Sequence, residues 1–336
     1  MPPLLFTVHC SPFTEYVSIM KPRYFVLALL AASAAHSQPY PAKPVRLVVP
    51  VPPGGIVDVV GRLFAQKVTE QTGHNVIVDN RPGGLTNVGS EFVARSPGDG
   101  YTLLLQSLPM VVNPVVLTKM SYDYEKDLAP VSLLITSPYL FVVHPSVPAK
   151  SIRELVAVAK AQPNKITYAS AGNASNLHIA VELFNVLAGV KTLHIPYKGG
   201  GPALTAVLGG ESDLSVLSSS AVMPYVNTGR MRALAITSPR RMNMLAQIPT
   251  VAESGVPGYE FASWVGVLVP ASTPPATINA VNAVAVKASR APDLVERYTK
   301  DATDVVANSP AEFRAFIQSE AKRWTKVVKD SGMRAD

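Results

Sequence analysis

The sequence has almost no cysteine. Its one thiol, Cys10, stands ahead of an apolar run rather than just behind one, so it cannot serve as a lipoprotein anchor, and a single cysteine builds no disulfide framework. Charge is sparse too: 16% of residues are charged against 48% hydrophobic, which excludes a disordered chain. No apolar run approaches the ~20 residues that span a bilayer, which excludes a multi-span membrane protein. Lys and Arg are scattered, with no dense run and no aromatic interleaving, so no nucleic-acid partner is expected. The six histidines show no His-x-x-x-His or similar spacing, and no metal site is expected. Among the glycine-rich stretches there is neither a P-loop nor a dinucleotide fingerprint.

What is present begins with a leader. Met20, Lys21 and Arg23 open a basic start, Tyr24 to Ala35 forms an apolar core of signal-peptide length, and Ala35-His36-Ser37 offers small residues for cleavage before Gln38. Residues 1–19 show no such pattern, which makes Met20 the better start and residues 1–37 an upstream extension plus signal peptide. Removing Lys21 and Arg23 from 30 basic residues and Glu15 from 23 acidic ones leaves 28 and 22, a net charge of +6. A basic exported protein suits anionic ligands. The expected compartment is the periplasm.

With 336 residues, the chain is long enough for two domains. Val45 to Val51 reads as a buried strand. Pro52-Pro53-Gly54-Gly55 breaks it, and Ile56, Val59, Val60, Leu63, Phe64 and Val68 then recur at helical spacing. Val76 to Val78, Asn87 to Arg95 and Tyr101 to Leu105 read as strand, helix and strand. Such alternation predicts a parallel, doubly wound α/β sheet. An extended stretch from Val131 to Val143 opens a second α/β region. Ser151 and Glu154 would form a capping box there, and further strands are expected at 166–169, 193–196, 214–217 and 232–236. Phe261 to Pro270 would carry the chain back, and a last helix opens at Ser309, Pro310 and Glu312 as N-cap, N1 and N3. Trp264 on that return reads as core.

Three strand-to-helix loops carry the chemistry. Pro53-Gly54-Gly55 places bare N–H groups at a helix start, an anion seat, with Asp58 in the first helical turn either capping N–H groups or meeting a ligand. Ser170-Ala171-Gly172-Asn173-Ala174-Ser175 offers the same in the second half. Tyr197 to Pro202 is a third, with Pro202 expected at the first helical position. Ser170 or Ser175 beside His178 could form a nucleophile and base, but no Gly-x-Ser-x-Gly elbow and no third group accompany them.

Taken in order, YPAKPVRLVVPVPPGG with Asp58, DNRPGG with Asn87 and Gly89, PGDGYTLLL, KDLAPVSLL, YASAGNASNLHIAVELF, HIPYKGGGPAL, GRMRALAITS and IPTVAESGVPGYEFASWVGVLVPASTP resemble the Bug family, the extracytoplasmic receptors of tripartite tricarboxylate transporters. The resemblance implies a type II periplasmic-binding-protein-like α/β fold: domain I from 38–138 and 264–336, domain II from 139–263, joined by two crossover strands. It implies no enzyme activity and no cofactor. The implied ligand is a small organic carboxylate, held by Pro53, Gly54, Gly55 and Asp58 on one side and by Ser170, Ala171, Gly172, Asn173, Ser175 and His178 on the other. Permease subunits are the implied partners.

Two departures from the family pattern, the apolar loop Ser107-Leu108-Pro109-Met110 and Ser218-Ser219-Ser220, would line the ligand's distal end through Ser107 and Ser219. They favour an aromatic or aliphatic carboxylate over an amino acid, whose ammonium needs a counter-charge. The alternatives are an adaptor read by a membrane sensor kinase, and a secreted hydrolase using Ser170 and His178. N-terminal sequencing of the exported protein should return Gln38 as the first residue, and a different first residue would move the cleavage site.

Overall fold

The computed structural model describes residues 40–334, so the leader expected over 1–37, with Cys10 and the cleavage site, lies outside the described residues. From Val45 strands alternate with helices: β1 (Val45–Val49), α1 (Ile56–Thr72), β2 (Val76–Asn80), α2 (Asn87–Ala94), β3 (Thr102–Gln106), α3 (Pro109–Val116) and one turn, α4 (Tyr124–Asp127). The long strand β4 (Leu128–Val143) leads to α5 (Ile152–Ala161), β5 (Thr167–Ser170), α6 (Asn176–Ala188), β6 (Leu193–Pro196), α7 (Gly200–Leu208), β7 (Leu214–Ser218), α8 (Ser219–Asn227) and β8 (Arg232–Ile236). The return strand β9 (Ala262–Pro270) precedes α9 (Pro275–Ser289), α10 (Pro292–Lys300), β10 (Asp304–Val305) and α11 (Pro310–Ser331).

Local signals account for many of these boundaries. Gly73 takes φ 74° and closes α1 through its N–H to the Thr69 carbonyl, a conformation that favours glycine. Ser309 and Glu312 make the full reciprocal box that opens α11. At α5 only half of that motif forms. The Ser151 hydroxyl accepts the Glu154 N–H, but the Glu154 carboxylate accepts from Lys150 N–H at 2.7 Å. Helix α7 starts at Gly200, so Pro202 is its third residue rather than its first. The segment expected as a loop at Ser107 to Met110 instead runs into α3, whose residues Pro109 to Asn113 are buried. A helix enclosed along most of its length shows no amphipathic stripe.

The strands lie in the order β2-β1-β3-β9-β4-β7-β5-β6, with β8 and β10 also pairing β4. Strands β2, β1 and β3 are parallel to one another, as are β6, β5 and β7. Between these two sets run the antiparallel pairs β3–β9, β9–β4 and β4–β7. Strand β4 is buried at every position except Thr136, and so reads as a nearly continuous apolar run. Its first part pairs β9 from Leu128↔Pro270 to Pro138↔Ala262, and its second part pairs β7 from Tyr139↔Ser218 to Val143↔Leu214. Pro138, which has no N–H to give to a ladder, marks the changeover.

Alternation sorts the core. Val45, Leu47 and Val49 of β1 join Val60, Phe64 and Val281 on one face, whereas Val48 and Leu104 join the larger cluster on the other. Helix α11 packs on α3, β4 and α6. At its base Phe313 and Phe316 meet the Trp264 ring edge to face, at 5.9 and 5.7 Å. Gly266, beneath Phe313, is the close approach that seats this helix. A methyl group there would stand 2.1 Å from Phe313 Cζ. Gly266→Ala should therefore cost about 3 kcal/mol as overpacking and lower the melting temperature by several degrees in a circular-dichroism melt. An unchanged melt would mean that Phe313 is not seated on this strand.

Candidate functional site

The junctions that follow β1, β2, β3, β5, β6 and β7 all open onto one cavity of about 500 Å³. Each lies at the carboxyl end of a parallel strand, where open α/β sheets place their ligands. Six helix N-termini, those of α1, α2, α3, α6, α7 and α8, consequently face a common space and turn the positive ends of their dipoles toward it. Among the described residues the lining holds one charged side chain, Lys198, and no carboxylate. Pro50, Pro52, Ile56, Leu85, Leu177, Leu204 and Leu217 make much of the wall apolar. Across the mouth Pro52 lies against Gly199, where a Cβ would stand 3.8 Å from Pro52 Cβ.

The residues expected at the site divide into lining and support. Gly54, Gly55, Ser107, Ala171, Gly172, Asn173 and Ser175 line the cavity, while Pro53, Asp58, Ser170, His178 and Ser219 do not. Pro53 is exposed. Asp58 accepts hydrogen bonds from Gly54 N–H (2.9 Å), Asn80 Nδ2 (2.9 Å) and, bidentately, Arg62 (3.0 Å each). Burial alone would raise its pKa, but these bonds from Arg62, Gly54 and Asn80 hold the carboxyl below its usual range. Asp58 thus braces the β1–α1 loop and holds Gly54 at φ 93°. The Ser219 hydroxyl donates to the Asp301 carbonyl, and its neighbour Ser218, the residue before α8, is the one that lines the cavity.

Beneath the β5–α6 loop lies a stack of three rings. His194 stands 4.8 Å from Tyr168 and 4.0 Å from His178 between ring centroids, stacked nearly parallel with each. The Tyr168 hydroxyl donates to Glu182 at 2.6 Å. Ser170 is paired here with His194, not with His178: its hydroxyl lies 2.5 Å from His194 Nε2 and accepts Gly172 N–H at 3.1 Å. His178 Nδ1 accepts Ala174 N–H at 3.0 Å, which places its own proton on Nε2. Ser170 is fully buried. The two imidazoles therefore pin the loop from below, at Gly172 and Ala174. Burial lowers His178 to about 3, with a further contribution from His194, and lowers His194 to about 4. Both are neutral at pH 7.

Sequence reasoning missed His194, because its meeting with Ser170 depends on β6 pairing β5, with Tyr168 opposite His194. It also passed over Leu85 and Thr86, which line the cavity with φ of 54° and 76°. The Gly83-Gly84 pair ahead of them signals only a loop.

A cleft between two sets of α/β elements, ringed by helix N-termini, is the architecture of a periplasmic-type solute-binding protein, a class that carries no catalytic machinery. The model of the tripartite tricarboxylate transporter family receptor matches residues 60–333, and the chain belongs to that family. Protein BugT from Bordetella pertussis is 34% identical over 310 residues, 92% of this chain and 95% of BugT. An R. palustris protein solved with adipate superposes with a TM-score of 0.84 at 32% identity, covering 88% of this chain and 99% of that one. MatC from Rhodopseudomonas palustris, solved with bound malate, gives a TM-score of 0.80 at 28% identity, covering 86% of this chain and all of MatC. Members of the family are solute receptors rather than enzymes.

The neutral histidines generate a pH test. In the unfolded chain a histidine titrates near ~6.5, above both folded values. Below ~6.5 the unfolded chain therefore binds more protons, and stability falls as the pH drops from there toward 3 to 4. His178→Asn keeps an acceptor for Ala174 N–H but cannot titrate. Its melting temperature should decline less than the wild type's between pH 7 and pH 5. Parallel declines would show that His178 does not carry this dependence.

Proposed function

We propose that this chain is an exported receptor that captures a small organic carboxylate in the cavity and hands it to the membrane subunits of a tripartite tricarboxylate transporter. The observation that carries the reading is electrostatic. Six helix N-termini and Lys198 converge on a cavity whose lining contains no acidic side chain, so an anion is favoured there and a free ammonium has no partner. The adipate- and malate-bound relatives support a carboxylate, and the leader expected over 1–37 supports export to the periplasm. No cofactor enters this function.

In this reading the halves 38–138 plus 264–336 and 139–263 act as two lobes, with the changeover at Pro138 and the start of β9 as the hinge. Ligand contacts from both lobes exist only when the cleft is closed, so binding shifts an open–closed equilibrium. The Pro50 to Gly55 segment would hold the acid from one lobe, and Ala171 to Ser175 with Lys198 from the other. The apolar wall would take an aliphatic or aromatic body.

A thermal-shift screen of residues 38–336 against mono-, di- and tricarboxylates, aromatic acids and acidic amino acids tests this. A ligand at a hundredfold excess over its dissociation constant should stabilise the protein by ~2.7 kcal/mol. Carboxylates without an amino group should shift the melt, while aspartate and glutamate should not. Lys198→Met should weaken the best acid about two- to fivefold, as expected for an exposed ion pair. Binding of aspartate or glutamate alone would overturn the assignment.

A further inference from the structure

The segment that sequence reasoning passed over is the most constrained part of the cavity wall. Leu85 and Thr86 both sit in the left-handed region, which a β-branched threonine adopts only when its surroundings over-determine it. Here two buried amides do so. From α3, Asn113 Nδ2 donates to the Leu85 carbonyl at 2.5 Å, and from the end of β3, Gln106 Nε2 donates to Thr86 Oγ1 at 3.0 Å. Asn113 is fully enclosed and Gln106 nearly so.

The hydrogen bonds around Gln106 have one consistent assignment. Its Oε1 accepts Ser107 N–H at 2.9 Å, which fixes the amide orientation, because a backbone N–H can only donate. Its nitrogen then gives one hydrogen to Thr86 Oγ1 and the other to Ser90 Oγ, at 2.7 Å. Ser90 passes its own proton to the Thr86 carbonyl at 2.9 Å. Thr86 Oγ1 is therefore an acceptor toward the protein, and its own proton cannot point back at an amide nitrogen. Thr86 lines the cavity, and no protein acceptor takes that proton among the described residues, so it is free for whatever fills the space.

We propose that Thr86 is a ligand-binding residue whose hydroxyl donates to an oxygen of the bound acid, with Gln106 as the positioning residue that fixes its direction and Leu85 supplying the apolar surface beside it. The inference rests on the carboxylate reading above and narrows it: the acid must bring an acceptor oxygen to the β2–α2 loop.

Titration calorimetry at 20 °C with adipate, malate and benzoate tests this on wild type, Thr86→Val, Thr86→Ser, Gln106→Met and the double variant Thr86→Val/Gln106→Met. For whichever of these acids binds the wild type, Thr86→Val should weaken binding about 10- to 100-fold, the loss expected for a hydrogen bond to a charged group. Thr86→Ser, which keeps the donor, should stay within about threefold. Gln106→Met should weaken binding on its own but add nothing in the Thr86→Val background, a coupling that general destabilisation would not produce. Should Thr86→Val fail to fold, Thr86→Ala serves as a second variant without the hydroxyl. Wild-type affinity in the variants lacking the hydroxyl would overturn this inference alone. A wild type that binds none of the three acids would overturn the inference together with the function it rests on.

Discussion

Strand β4 belongs to both halves of the sheet, and the position of every functional loop follows from that. Its ladder with β9 sets the direction of β3, and through β3 that of β1 and β2. Past Pro138 the same strand sets β7, and through β7 that of β5 and β6. Because the central pairs are antiparallel, the two parallel sets are turned so that their carboxyl ends open onto one space. The loops meet there because a single buried strand is shared. Trp264, Phe313 and Gly266 then fix α11 over the crossing, so the terminal helix touches elements on both sides of it.

The cavity wall presents little charge. Asp58, the obvious carboxylate at the first loop, is consumed by Arg62, Asn80 and Gly54 N–H, so it neither repels an anion nor offers itself to a cation. The imidazoles under the second loop are kept neutral by burial; His178 accepts the Ala174 N–H directly, and His194 holds the Ser170 hydroxyl that accepts the Gly172 N–H. The polar groups that remain in the wall are backbone dipoles, hydroxyl-bearing residues, Asn173, Asn176 and Lys198. A field built from many partial charges is less tied to one ligand shape than a single ion pair would be.

Much of the architecture could be read from periodicity, because α1, β1, β5 and β6 each present a clear pattern at helix or strand spacing. The loops Gly54-Gly55 and Ala171 to Ser175 were legible because glycine and small polar residues between a strand and a helix have few other uses. The losses were non-local. Ser170 meets His194 only because β6 lies beside β5. Asp58 could be read as capping or ligand contact until Asn80, at the end of β2, was seen beside it. Ser218 lines the wall in place of Ser219 because α8 begins one residue later than the first cavity-facing serine. The left-handed Leu85 and Thr86 have no local signature at all, since their conformation is imposed by Gln106 and Asn113 from other elements.

The position of β9 between β3 and β4 bears on how the chain comes to be folded. Leu104, Leu105 and Gln106 have no neighbour on that side until Leu268, Val267 and Gly266 arrive, so the first half of the sheet carries an open apolar edge while most of the chain is still being made. Non-local closure of this kind is slow. The strand that completes the first half is made only after β4 to β8, so that half stays open until the whole of the second parallel set is present.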